Sequence, residues 1–297
     1  MKRSAFAGKM ALLLATIIWG TSFFILKNTI DVLPTFFVLA VRFSSSAIVI
    51  GLIFIKKIIK INKKVLLHGL LLGLTVAGAY CFQTIGLKYT TPAKNAFLTA
   101  VYVVIVPFMG WFMLRKKPKI NNIIAAVLCI VGIGCVSLNG KFSMGIGDVL
   151  TLCSGIFYAL QIIFTSKYAV DDDPMQLLFI ELGVIGIIFW IVSLCSERIP
   201  ASITFEAFLP VIYLALICTA LAQMLQILGQ KRTSSNSASI ILSLESVFGT
   251  LFSVIFYKEK LTLQLIIGFV IIFIAILTGE IDWTGVFKRK NGEKKQE

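Results

Sequence analysis

Charge is scarce in this chain. Only 14% of its 297 residues are Asp, Glu, Lys or Arg, while 58% are hydrophobic, and the mean hydropathy is +0.94. Soluble domains carry about a quarter charged residues, so a soluble globule is excluded, and so is disorder, which requires low hydrophobicity. Histidine is nearly absent: His68 is the single one, which leaves no histidine-bearing metal spacing. The six cysteines, Cys81, Cys129, Cys135, Cys153, Cys195 and Cys218, form no CxxC pair and all fall in apolar runs, where they read as small hydrophobes rather than disulfide partners. No GxxxxGK[ST] loop is present, so ATP is not the direct energy source.

Long apolar runs fill the space instead. A hydrocarbon core about 30 Å thick needs about 20 apolar residues to cross, and such runs fall at 10–29, 36–55, 65–87, 93–114, 120–139, 148–168, 175–195, 208–230, 237–257 and 262–280. Little chain is left over for an extramembrane catalytic or nucleic-acid-binding domain. The first run exceeds a normal signal-peptide core and no small-residue cleavage site follows it, so it reads as a retained helix. Turn chemistry marks several ends. Asp31-Val32-Leu33-Pro34 separates the first two runs, and Asp173-Pro174 supplies an N-cap and a first-turn proline for the seventh. The Asp171–Asp173 triplet reads as a solvated negative helix start rather than a cation site.

The net charge of +14 invites a nucleic-acid reading, and its placement removes it. With the N-terminus inside and ten alternating spans, 20 of the 28 Lys and Arg fall on the inner side, seven outside, and Arg42 within a span. The clusters are Lys2/Arg3/Lys9, the Lys56–Lys64 loop, the Arg115–Lys119 loop and the Lys288–Lys295 tail. This is the positive-inside pattern, and it puts both termini in the cytoplasm; the location expected is the plasma membrane.

The chain also repeats itself. A shift of 139 residues lays Gly8 on Gly147, Trp19 on Tyr158, Ser22 on Gln161 and Arg42 on Glu181. A shift of 143 lays Gln83 on Gln226, Gly86 on Gly229, Lys88 on Lys231, Thr90 on Thr233 and Lys117 on Lys260. The halves are 1–140 and 146–285, with a basic tail at 286–297. Each holds five spans, an odd number, so the second enters the membrane in the opposite sense. The fold class expected is an all-α membrane protein, ten transmembrane helices as two inverted five-helix repeats, an organisation shared by many secondary transporters.

Local motifs agree. Ile18-Trp19-Gly20, Arg42-Phe43, Ile85-Gly86-Leu87-Lys88-Tyr89-Thr90-Thr91, Ser243-Leu244-Glu245-Ser246-Val247-Phe248-Gly249 and Tyr257-Lys258-Glu259-Lys260-Leu261-Thr262 stand in that order along the chain. With the doubled pattern, this resembles the drug/metabolite transporter superfamily in its EamA-type branch. Two departures stand out: Ser246 replaces a proline often found after the ninth-span glutamate, and Lys116 stands where the second half has Glu259. The resemblance implies a permease for amino acids, metabolites or drugs, acting in efflux by alternating access.

Depth arithmetic sorts the polar residues. At about 1.5 Å per residue, Trp19 lies roughly 14 Å into its span, Tyr158 roughly 15 Å from the opposite face, and Glu245 roughly 12 Å in. Tyr102 is the repeat counterpart of Glu245. These four form the candidate substrate site, near the midplane where transporter sites lie; ordinary packing is the alternative for the three rings. An ionisable group at that depth reads as functional. Glu245 would exchange a proton each cycle or hold a cationic amine, with the rings covering the apolar remainder by cation–π contact. The competing role is a permanent bond to Arg42 that only joins two helices.

Arg42 and Glu181 correspond under the repeat, yet they lie roughly 9 Å from opposite faces and about 12 Å apart in depth, which argues against a bridge. Arg42 then either snorkels outward or turns toward Glu245. Tyr80, Gln83 and Asn95 lie toward the outer mouth, and Gln223 and Gln226 toward the inner one. Together with Arg42, Gln161 and Glu181 they are the candidate pathway lining, with helix-to-helix bonding the alternative. Gly69, Gly73, Gly78, Gly132 and Gly134 read as close-packing positions. The partners expected are a small-molecule substrate, the lipid bilayer and a coupling proton, with no nucleic acid, metal or cofactor. A lipid-modifying enzyme would need clustered Asp, His or Cys at a membrane face, and a channel or receptor a ring of acids or a signalling domain. The sequence offers neither, and these are the rival readings.

Overall fold

The computed structural model describes residues 2–114, 117–118, 120–137, 144–200 and 202–280. The Arg115, Lys116 and Lys119 positions of the basic loop and the whole basic tail lie outside the described residues. Helices follow one another as α1 (Lys2–Ile30), α2 (Thr35–Ile53), α3 (Ile55–Ile58), α4 (Lys63–Lys88), α5 (Pro92–Thr99), α6 (Tyr102–Leu114) and α7 (Ile120–Ser137) in the first half. The second half holds α8 (Ile146–Asp171), α9 (Pro174–Ser196), α10 (Phe205–Ala215), a π-helical turn (Leu216–Leu221), α11 (Ala222–Gln230), α12 (Ser235–Ser243), α13 (Glu245–Phe256) and α14 (Leu263–Glu280). Eight helical runs are long and apolar enough to cross a membrane. The fifth and tenth expected spans are shorter apolar helices, Ile123–Val136 and Leu263–Thr278. Their lengths are about 21 and 24 Å at 1.5 Å per residue, so the described residues hold eight full-length spans and two shorter apolar helices, and the count of ten is not confirmed.

Large apolar side chains point outward all round the bundle: Leu52, Phe112, Ile187, Leu194 and Leu263 are each more than 60% exposed. In water this would be an aggregation surface; around a multi-pass membrane protein it is the lipid-facing belt.

Helices of one half pack chiefly on helices of the other. α4 lies against α8 and α9, and its repeat counterpart, the α10–α11 run, lies against α1 and α2. Counterparts also pair with each other, and they run antiparallel. Just past the end of α9, Glu197 accepts from the backbone amides of Phe36 and Phe37 at the start of α2, both at 2.9 Å. Just past the end of α2, Lys57 meets Asp173 before α9 at 2.8 Å, and Gln176 donates to the Lys57 carbonyl at 2.7 Å. α7 and α14 do the same: Gln264 at the start of α14 donates to the Cys135 carbonyl near the end of α7 at 2.9 Å.

Caps fall where short polar residues stand. Asp173 accepts from the Met175 and Gln176 amides with Pro174 in the first turn, as the dipeptide predicts. Burial pushes the Asp173 carboxyl up, but Lys57 and these two amides outweigh it and hold it below the usual carboxylate range. Thr91 caps α5 and Ser234, its counterpart, caps α12. The acidic triplet is less solvated than expected. The Asp172 side chain is 4% exposed, lies 2.5 Å from His68 and 3.7 Å from Lys64, and so ties α8 to the start of α4. The cysteines also divide: Cys129 and Cys218 are buried, whereas Cys195 is exposed.

Glycines set the closest crossings. A Cβ on Gly69, Gly73, Gly78 or Gly132 would stand 2.6 to 2.7 Å from Ile180, Val184, Phe157 or Ile272, consistent with packing rather than hinging. At the α4–α8 crossing, Gly86 and Gly147 face each other, and a Cβ on either would lie 2.8 Å from the other's carbonyl oxygen. Backbone cannot yield as a side chain does. Gly86→Val is therefore expected to destabilise by about 1–3 kcal/mol or more, read as a lowered melting temperature in detergent. Glu197→Ala strips two α2 amides of their acceptor and is expected to cost about 1–2 kcal/mol, the range for a lost cap. Glu197→Gln, which keeps one acceptor oxygen, should recover part of that melting loss.

Candidate functional site

Both halves break their fourth helix at the same place. α5 gives way to α6 at Ala100–Val101, and α12 to α13 at Leu244, which is Val101 shifted by 143 residues. In the turns the bonding tightens to i→i+3, with the Val104 amide on the Val101 carbonyl at 2.9 Å and the Val247 amide on Leu244 at 3.1 Å. The breaks make Tyr102 and Glu245 the first residues of their helices. A carboxylate is favoured there by the helix dipole. Glu245 is 7% exposed, and the Tyr102 hydroxyl is its hydrogen-bond partner.

The π-helical turn shapes the facing wall. Within it the Thr219 hydroxyl reaches the Leu214 carbonyl at 2.8 Å, and the Cys218 carbonyl accepts from side-chain donors. Trp19 takes it through the indole N–H at 2.8 Å. Such bulges recur at functional sites.

Arg42 is held against this turn. It does not snorkel: the residue is 1% exposed. Its Nε donates to Thr219 Oγ1 at 2.5 Å, and Nη2 donates to the Tyr80 hydroxyl at 3.4 Å and the Cys218 carbonyl at 3.5 Å. The guanidinium stands 5.0 Å from the Tyr80 ring centroid and 5.5 Å from that of Phe43, a cation–π arrangement. Nη1 has no hydrogen-bond partner. Among the described residues Arg42 forms no ion pair with Glu245 or Glu181. The permanent Arg42–Glu245 bond considered from the sequence is absent, as is the Arg42–Glu181 bridge that the depth arithmetic argued against. Snorkelling fails for a local reason: Thr219, the Cys218 carbonyl and two ring faces offer the guanidinium polar company inside the bundle.

These groups surround one cavity of about 630 Å³, counted with its open mouth. Trp19, Tyr102, Tyr158 and Glu245 all line it, as do Arg42, Tyr80, Gln83, Asn95, Gln161, Gln223 and Gln226. Glu181 does not. It is buried on α9 outside this wall, 2% exposed. Three tyrosines link the two charges: the Tyr80 and Tyr158 centroids are 5.9 Å apart, and those of Tyr102 and Tyr158 6.3 Å. Tyr158 donates to Gln83 at 2.8 Å, and Gln83 donates to Thr99 at 3.1 Å. Asn95 donates to the Gln83 carbonyl and to Thr151.

The cavity is lopsided. Toward the end carrying Lys57 and Asp172, the lysine end, Gln161 and Gln226 exchange amide hydrogen bonds at 3.1 and 3.4 Å. Gln230 adds a bond to the Ile162 carbonyl at 3.5 Å. Toward the opposite end the wall continues to Leu26 and Leu87, at the last turns of α1 and α4. The counterparts of the bonded pair, Ser22 and Gln83, line the cavity without joining; Ser22 bonds back to the Trp19 carbonyl at 2.8 Å. Sequence reasoning missed Thr219, the Cys218 carbonyl and the apolar wall of Phe23, Leu26, Leu87 and Leu242. Only Thr219 left a signal, a hydroxyl inside an apolar run.

A bundle of lipid-facing helices in two exchanged halves, closed round one polar and aromatic cavity, has the build of a membrane transporter. The EamA-like transporter family model matches residues 6–138 and again 145–278. The chain belongs to that family and carries its domain twice. It is 30% identical over 271 residues to an "Uncharacterized transporter" of Archaeoglobus fulgidus, covering 90% of this chain and 84% of the relative. It is 24% identical to "Uncharacterized transporter YvbV" of Bacillus subtilis, covering 90% of each. With the mouse "Solute carrier family 35 member F2" it shares 22% identity over 70% of this chain and 58% of the relative. A solved crystal structure superposes with a TM-score of 0.70 at 14% identity, covering 92% of this chain and 96% of that one, a likeness of fold.

Proposed function

We propose that this protein is a secondary transporter, not an enzyme, that moves a small organic metabolite, amino acid or drug out of the cell across the plasma membrane by alternating access. Ten spans form two inverted repeats, 1–140 and 146–285, with both termini and the 286–297 tail in the cytoplasm. On that orientation the lysine end is cytoplasmic, and the cavity extends toward the outside. Trp19, Tyr102, Tyr158 and Glu245 contact the substrate, and Glu245 is the group that would exchange a coupling proton. Arg42, Tyr80, Gln83, Asn95, Gln161, Gln223 and Gln226 line the pathway. Glu181, the counterpart of Arg42, joins it when the lysine end opens.

The observation that carries this reading is the asymmetry of the cavity. One end is closed by a reciprocal amide pair, while the equivalent positions at the other end stand apart. A two-fold repeat with one end joined and its mate unjoined supports alternating access, in which the two ends would exchange roles.

Two measurements test it. Growth under excess amino acids and toxic metabolites, with and without expression, selects candidate substrates, and purified protein in liposomes should then exchange a selected compound by counterflow. Absence of exchange for every selected compound would sink the transporter reading. For orientation, a cysteine at Lys116 in a background lacking the six native cysteines should resist impermeant thiol reagent applied to intact cells, because the basic loops stay inside. Ready labelling there inverts the topology.

A further inference from the structure

Between α2 and the first turn of α4 the chain sets five lysines within nine residues: Lys56, Lys57, Lys60, Lys63 and Lys64. Two of them have acids close by, Lys57 with Asp173 at 2.8 Å and Lys64 with Asp172 at 3.7 Å. Lys56, Lys60 and Lys63 are exposed and form no ion pair among the described residues. They stand on a bonded turn, not a slack loop. Phe54 ends α2, α3 follows as a single turn, and the Lys60 and Ile61 amides bond the Lys57 and Ile58 carbonyls at 3.0 and 3.1 Å. Gln176 of α9 donates to the Lys57 carbonyl at 2.7 Å, and Asn62 caps α4 by accepting from the Val65 amide at 3.0 Å. The charges are therefore presented by a fixed backbone.

The same stretch is apolar between its charges. Ile55 is 50% exposed and Ile59 74%. Leu52 and Ile53 precede them on α2, and Leu66 and Leu67 follow on α4, all exposed and all part of the lipid-facing belt. Lysines on this border stand where hydrocarbon gives way to phosphate, and their stems can lie along apolar surface while the ammonium groups stay in the polar layer. A soluble polyanion would match the charges and leave Ile55 and Ile59 in water. A lipid with a net negative headgroup answers both features, its phosphate meeting the lysines and its acyl chains the isoleucines and leucines.

We propose that residues 52–67 form a docking surface for an anionic phospholipid, held by Lys56, Lys60 and Lys63 and by the exposed Ile55 and Ile59. The surface is separate from the cavity and does not depend on what the cavity carries. Each lysine close to an anionic lipid surface strengthens attachment by about fivefold, so three without acidic partners make a selective contact.

Native mass spectrometry of the purified full-length chain in detergent reads bound lipid directly. Dioleoylphosphatidylglycerol should bind about tenfold or more tighter than dioleoylphosphatidylcholine, which has the same chains and no net charge. The triple variant Lys56→Gln, Lys60→Gln and Lys63→Gln should lose about tenfold or more of the phosphatidylglycerol affinity. A control triple, Lys9→Gln, Lys167→Gln and Lys231→Gln, removes three exposed charges elsewhere at the lysine end and should lose less than about threefold. Glycerol phosphate, the headgroup without chains, and a polyglutamate peptide should both fail to displace the lipid at equal concentration. If the triple variant fails to fold, the wild type decides by photolabelling with a phosphatidylglycerol that carries its reactive group beside the phosphate, and the label should fall within residues 52–67. Equal binding of the two lipids, equal loss in the two triple variants, or label confined to other segments overturns the proposal and leaves only a general bias of positive charge at this end. Displacement by glycerol phosphate also overturns it, in favour of a free-anion site, and displacement by polyglutamate in favour of an acidic protein partner.

Discussion

Glu245→Gln is expected to abolish counterflow, by about a hundredfold or more, while protein level and melting temperature stay close to wild type. The size follows from what is lost. A buried carboxylate facing a ligand or proton contributes several kcal/mol when its partner is charged, and each 1.4 kcal/mol is a factor of about ten. Stability is spared because the substitution preserves shape. Glutamine keeps an acceptor for the Tyr102 hydroxyl, which hydrogen-bonds Glu245, and the first turn of α13 is held by the Leu244 carbonyl, not by this side chain. A purely structural Glu245 makes a different forecast. If it were bonded to Arg42, removing it would strand a buried guanidinium and unfold the protein, and Arg42→Gln would rescue it. Arg42 instead bonds Thr219, Tyr80 and the Cys218 carbonyl, so no rescue is expected. Counterflow rates and melting curves on the two single variants and the double variant separate the cases. Unfolding by Glu245→Gln with rescue by Arg42→Gln would remove Glu245 from the site.

Much of this arrangement is legible in the chain because the bilayer imposes length and depth. Apolar runs of about 20 residues locate the eight long helices, and a rise of about 1.5 Å per residue brings Trp19, Tyr102, Tyr158 and Glu245 to a common level, where they line one cavity. The repeat offsets also carry structural content: they align the Thr91 and Ser234 caps and the breaks at Val101 and Leu244. Other features have no signature of their own. The breaks occur in Val, Leu and Ala stretches that continue a helix as readily as they interrupt it. The π-helical turn lies in Leu216-Ile217-Cys218-Thr219-Ala220-Leu221, which reads as plain helix. Arg42 shows the limit of depth arithmetic, which gives distance to water but not the lateral partners that make staying buried favourable. Glu181 shows that of the repeat, since correspondence pairs it with Arg42 but does not bring it to the cavity that Arg42 lines. Asp172 reads as solvent-exposed because His68, its partner, is 104 residues away in sequence.

Removing the amide pair at the lysine end is expected to shift the balance between the two access states. Gln226→Ala deletes both hydrogen bonds that Gln161 and Gln226 exchange. At about 0.5–1.5 kcal/mol each, their loss moves the ratio of closed to open lysine end by about tenfold. A cysteine at Ile162, 2% exposed on the cavity wall, should react correspondingly faster with reagent supplied from the lysine side in inside-out vesicles. The gain is bounded, because Gly8 of α1 still packs against the Gly229 carbonyl and Arg232 there. The repeat supplies the converse experiment. Ser22 and Gln83 stand where Gln161 and Gln226 stand in the other half, and they are not joined. Ser22→Gln gives the opposite end the same reciprocal amide geometry, so it should slow labelling of a cysteine at Leu26 from that side and slow counterflow with it. The two variants push one equilibrium in the same direction by different bonds, one weakening the closed end and one strengthening the open end's closure. If Gln226→Ala leaves the Ile162 reporter unchanged, the amide pair only packs helices together. If it quickens labelling while Ser22→Gln does nothing, the ends do not exchange roles and the two-fold logic of the repeat does not extend to gating.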